Sequence, residues 1–136
     1  MRFGSNAKLT AAIGLVVLVV CLGTRPVHAR FDGSTFAGTY TREFIGASGK
    51  VTETLEVKAD KSVVWTSNYS GRASVVQSGI WNARGDTLIV VLDKRDGEKM
   101  PADERVVFDR KGKDLKGRVY DHNVHGNSGL VFHRSL

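Results

Sequence analysis

From Gly38 onward the chain falls into short runs that alternate apolar and polar residues, separated by glycine, aspartate, asparagine or lysine turns. The spacing, roughly 8 to 12 residues, is the rhythm of a sandwich or barrel, and no segment sustains a helical period. Residues 51–58 set Val51, Leu55 and Val57 on one side and Thr52, Thr54, Glu56 and Lys58 on the other, as a half-buried strand requires. Ala59, Asp60 and Lys61 then turn the chain into residues 62–69, with Val63, Trp65 and Tyr69 on one face; these two runs form the clearest hairpin. Further strands read at residues 73–82, 87–93, 106–108, 115–120 and 129–133, which with the run opening at Gly38 gives eight. Residues 88–92 are apolar on both faces, so that strand is either covered twice or presents a patch that something binds. Residues 94–103, charged and containing Pro101, read as a mobile loop.

Closing into an up-and-down barrel is the best way for eight antiparallel neighbours with short connections to remove their exposed edges. The expected class is therefore all-β: a small eight-stranded antiparallel, lipocalin-like barrel, with a two-layer β-sandwich as the alternative. An outer-membrane barrel needs strands of about 9 to 11 residues with an apolar outward band. The outward positions of residues 51–58 instead carry threonine, glutamate and lysine.

Residues 1–29 read as a secretory signal peptide. Arg2 and Lys8 supply a positive start, residues 9–22 are almost uninterruptedly apolar, and Val27, His28 and Ala29 fit a small-x-small cleavage pattern. The apolar run is shorter than the roughly 20 residues that span a bilayer, so cleavage is favoured over a retained anchor. The mature chain then carries no transmembrane segment and forms one domain, residues 30–136, exported to the periplasm or secreted. Cys21 lies inside the signal and lacks the small preceding residue of a lipidation site, which argues against a lipid anchor. Without it the mature chain has no thiol for a disulfide, a metal or nucleophilic catalysis. The formal charge of +6 includes Arg2, Lys8 and Arg25; the mature chain keeps +3, too little to indicate nucleic acid.

The order Gly38-Thr39-Tyr40, then Glu53-Thr54-Leu55-Glu56-Val57 with its Ala59-Asp60-Lys61 turn, then Gly79-Ile80-Trp81 leading to Gly85-Asp86-Thr87-Leu88, resembles the N-terminal barrel of NlpE-type copper-resistance lipoproteins. More loosely it is similar to other small lipocalin-like envelope domains. The likeness covers roughly residues 36–93. It implies a barrel in the cell envelope. That family typically carries a Cys-x-x-Cys motif after the Gly-x-Tyr strand and a lipid anchor, and residues 44–49 here have no cysteine. Thiol-based copper handling is therefore not implied.

Asp121, His122 and His125 sit in one Asn/Gly-rich stretch, where positions i and i+3 can converge in a turn. One oxygen and two imidazoles suit Cu(II) or Zn(II); the alternative is a polar loop with both histidines exposed. An Asp121, His125 and Ser128 grouping for acyl transfer lacks a nucleophile turn and an oxyanion arrangement, and the pairs Asp103-Glu104 and Glu53 with Glu56 come with no pocket. No enzyme and no obligate cofactor are indicated. Trp65, Trp81, Tyr40, Tyr69, Phe108 and Phe132 can line a cavity or fill the interior, and packing is the favoured reading. The expected function is a non-enzymatic, exported barrel that binds a small ligand or an envelope protein. Its candidate contacts are Trp65, Trp81, Leu88, Val90 and Leu92; a metal-stress protein using the histidine loop is the alternative, and a small hydrolase comes last.

Overall fold

Alternation decides which side chains meet, and in the computed structural model, which describes residues 36–135, it carries through eight strands. They are β1 (Gly38–Gly46), β2 (Gly49–Val57), β3 (Ser62–Tyr69), β4 (Val75–Arg84), β5 (Thr87–Arg95), β6 (Glu98–Lys111), β7 (Asp114–Val119) and β8 (Val131–Arg134), with one helical turn, α1 (His122–His125), between the last two. Each strand pairs antiparallel with the next. β8 returns to β1, with Tyr40 opposite Arg134 and Thr41 opposite His133, and the sheet closes as an up-and-down barrel. Closure excludes the sandwich. The signal-peptide reading of residues 1–29, Cys21 included, lies outside the described residues. No helix among the described residues is long and apolar enough to cross a membrane.

Residues 94–103 are not a loop. β5 continues through Arg95, Asp96 and Gly97 turn at φ 51° and 86°, and β6 begins at Glu98. An Asp-Gly pair between strands favours this two-residue turn because both positions take positive φ, and the surrounding charge hides the signal. Pro101 is accommodated because residues 100–103 bulge out between the pairs Lys94–Lys99 and Leu92–Glu104.

The inward rows form one apolar core. Leu55, Val63, Trp65, Leu88, Val90, Leu92, Val106, Phe108 and Phe132 are fully buried, each such side chain contributing about 1.5–3 kcal/mol. Trp65 and Phe132 meet edge to face at 5.1 Å, and Phe108 meets Phe132 at 5.9 Å. One end of the barrel is plugged by Phe36, whose carbonyl accepts from the Tyr40 hydroxyl at 2.8 Å and whose ring carries the Arg110 guanidinium at 4.0 Å. Arg134 caps this end as well, on the Tyr40 ring at 5.6 Å and the Ala37 carbonyl at 2.7 Å. The indole at this end, Trp81, is covered by the Lys61 ammonium at 4.2 Å and donates to the Lys58 carbonyl at 2.7 Å.

β4 and β5 cross closely at a register shift beside Gly79, where a Cβ would lie 1.9 Å from the Val91 carbonyl oxygen. Urea unfolding should show Trp81→Ala losing about 3–5 kcal/mol. Gly79→Ala should lose at least about 2 kcal/mol because backbone must move. A loss below about 1 kcal/mol for either contradicts the packing described.

Candidate ligand site in the barrel mouth

The other end of the barrel is built differently, because the wall there is incomplete. β7 pairs with β6 only as far as Val107 and Val119, and β8 pairs with β1 only at Tyr40 and Thr41. Residues 98–106 of β6 and 42–46 of β1 therefore face each other with no strand between them among the described residues. The segment 120–130 spans this gap. Asp121 starts its helical turn by accepting from the Asn123 amide at 2.9 Å, an N-cap. Gly126, at φ 86°, ends it with its amide on the His122 carbonyl.

This turn aims His125 inward. Its side chain is 4% exposed, its ring stacks on Trp65 at 4.8 Å, and Nε2 lies 2.6 Å from Glu104 Oε2. Since the carboxylate accepts, Nε2 is the donor. Glu104 Oε1 accepts from Gln77 Nε2 at 3.0 Å. The His125 hydrogen bond first, and the Gln77 bond after desolvation has opposed it, holds the Glu104 carboxyl below the usual glutamate range.

A second carboxylate sits beside the first. Glu53 Oε2 accepts from Trp65 Nε1 at 3.0 Å and from Ser67 Oγ at 2.7 Å, and Oε1 lies 3.2 Å from Arg42 Nε. The Trp65 indole thus serves both, giving its N–H to Glu53 and its face to His125. Burial draws the Arg42 pKa down while Glu53 opposes the drop, and the guanidinium lies 4.2 Å over the Phe44 ring with Nη1 lacking a hydrogen-bond partner.

Above these groups lies a cavity of about 440 Å³, within the range of small-molecule sites. Glu53, Ser67, Gln77, Glu104 and His125 make its floor. Phe44, Val51, Tyr69, Val75, Met100 and Val124 line its apolar wall, and the exposed Arg72 and Arg95 stand at its edge.

Trp65 lies in the barrel interior beside the floor, and Trp81, Leu88, Val90 and Leu92 are core; none of the five lines the cavity. The outward face of residues 88–92 is apolar as well: half-buried Ile89 and Val91 lie beside Ile80 and Val107, with Arg84 and Arg105 alongside. Asp121, His122 and His125 diverge, Asp121 capping α1, His122 lying 4.4 Å from the Tyr120 ring and His125 on Glu104. Among the described residues no three His, Cys, Asp or Glu side chains are grouped to hold a metal ion. His125 takes Glu104 as its acid, and Ser128 is exposed. Sequence reasoning passed over Arg42, Ser67 and Gln77 and set Glu53 and Glu104 aside, each beside a neighbouring acid, for want of a pocket; both line this one, and Glu56 and Asp103 do not, so of these five residues only Arg42 is outside its lining. Four of them interrupt otherwise apolar inward rows, which was the available signal. No protein-family model, curated protein or solved structure matches the chain.

The depressed Glu104 titration fixes a pH dependence. A carboxyl lowered on folding stabilises the protein above its unfolded pKa, and that contribution is lost as pH falls through its folded pKa. Melting curves from pH 6 down to pH 3 should therefore fall more gently for Glu104→Gln than for the native chain. Parallel curves would remove Glu104 from the acid response.

Proposed function

We infer that this is an exported, non-enzymatic binding protein whose barrel mouth receives one small amphipathic molecule. The observation that carries this reading is the cavity itself: a concave apolar wall over a floor of polar side chains fixed by one another before any ligand arrives. Such preorganisation lowers the entropy lost on binding, and a few placed polar groups in an apolar concavity are what orient a small ligand. Binding is favoured over reaction. Among the described residues the Ser67 hydroxyl donates to a Glu53 carboxylate that Trp65 and Arg42 also hold, and the His125 imidazole is bonded to Glu104, so serine and imidazole are not paired as nucleophile and base. Export rests on the signal-like residues 1–29, and an envelope setting also fits the NlpE-type likeness.

A ligand that binds only the folded state raises the melting midpoint, by about 4–8 °C per kcal/mol in a domain this small. Screening amphipathic amines, acids and short peptides should yield shifts of several degrees. Val75→Trp, which fills the cavity from its half-buried wall, should abolish them. Ile80→Trp, on the exposed outer face of β4, should leave them intact. Shifts that survive Val75→Trp would move the site elsewhere, and a shift with Cu(II) or Zn(II) removed by His122→Ala would favour the metal reading.

A further inference from the structure

The cavity is electrically lopsided. Two carboxylates lie deep, Glu53 with its side chain 7% exposed and Glu104 at 14%, while the guanidiniums of Arg72 and Arg95 stand exposed at the edge. Glu53 has a buried counter-ion in Arg42, 3.2 Å away. Glu104 has no such close counter-ion: it accepts from the Gln77 amide and from the His125 imidazole, which adds charge only when protonated, and the Arg95 guanidinium acts on it from beyond contact distance. Two donors also leave a carboxylate with lone pairs to spare. At the edge, among the described residues, neither the Arg72 nor the Arg95 guanidinium makes a side-chain hydrogen bond or a close ion pair, and the Arg95 charge bears on Glu104 only from beyond contact distance.

Buried charge is costly unless paired, so an occupant that brings a cation to Glu104 is favoured over one that lays an apolar tail there. An anion at that depth is disfavoured twice, by desolvation and by like charge. At the edge the preference reverses, since each guanidinium offers a carboxylate two donors in a fixed fork. Phe44, Tyr69, Val75 and Met100 supply apolar surface between the two levels.

We propose that the occupant of the mouth is a small zwitterion with an apolar body, of the short-peptide class, its ammonium group held by Glu104 and its carboxylate by Arg72 and Arg95. The proposal rests on the cavity being a ligand site, and it adds the chemistry and orientation of what binds there.

The test is calorimetric titration of the full protein with three forms of one compound: the dipeptide phenylalanylleucine, its N-acetyl derivative without the ammonium, and its C-terminal amide without the carboxylate. The free dipeptide should bind at least about tenfold more tightly than either derivative, a difference of about 1.4 kcal/mol. Glu104→Gln should weaken the dipeptide about tenfold and leave the acetylated form unchanged. Arg95→Met, on the exposed edge where folding is not at stake, should weaken the dipeptide and leave the amide unchanged. Equal affinity for the free and acetylated forms overturns the proposal. So does tight binding of a purely apolar or anionic probe that Val75→Trp blocks, although the cavity then stands as a ligand site. If no probe of any class binds, both readings fall.

Discussion

The upper wall of this barrel is held by one imidazole. Among the described residues no strand lies between residues 98–106 of β6 and 42–46 of β1, and the segment that crosses the gap is anchored where His125 lies flat on Trp65 and bonds to Glu104. Unpaired strand edges are a liability that folds must cover, and a buried aromatic stack with a 2.6 Å hydrogen bond is a compact means of doing so. The crossing segment and the two edges it covers depend on that anchor, while the mouth ends of β2 to β5 keep their own ladders. The anchor completes the cavity floor, fixes the Glu104 carboxylate, and brings Val124 to the wall while leaving that side chain largely exposed.

The two ends of the barrel thus solve opposite problems with the same alternation. At the plugged end, cations lie over aromatic faces, Arg110 on Phe36 and Lys61 on Trp81, so that apolar bulk fills the interior and charge stays outermost. At the mouth, the inward row is polar. Placing Arg42, Glu53, Ser67 and His125 below a tenth exposed sacrifices stability that apolar residues of similar volume would supply. Buried polar networks of this kind specify geometry instead of maximising stability, which is the arrangement a preformed binding site needs.

Much of this was legible in the sequence, because period-two patterning is local. Val51, Leu55 and Val57 fell on the inner face as expected, turns separated the strands near the expected places, and the preference for packing over cavity was right for Tyr40, Trp65, Trp81, Phe108 and Phe132 but not for Tyr69, which lines the mouth. The site was legible only in part. Glu53 sits in the inward row Val51, Glu53, Leu55, Val57, and Ser67 in the row Val63, Trp65, Ser67, Tyr69; an ionisable or hydroxyl residue breaking an apolar row was a signal left unused. The pairing of Glu104 with His125 was not legible. It spans 21 positions and depends on a four-residue helical turn too short to show periodicity, in a stretch whose asparagines and glycines read as loop. The charged run around Asp96 and Gly97 hid a hairpin for a related reason: composition spoke for a loop, while one dipeptide set the backbone.

Residue-resolved amide hydrogen exchange on the native chain and on His125→Ala tests the anchor most directly, because it separates local opening from global unfolding. Anchoring by His125 requires that the variant exchange at least about tenfold faster in residues 120–130 and along the facing edges, 42–46 and 98–106. Protection of β2 to β5 at the plugged end should be retained. Uniform loss of protection throughout the barrel, or an unchanged pattern across residues 120–130, would contradict it.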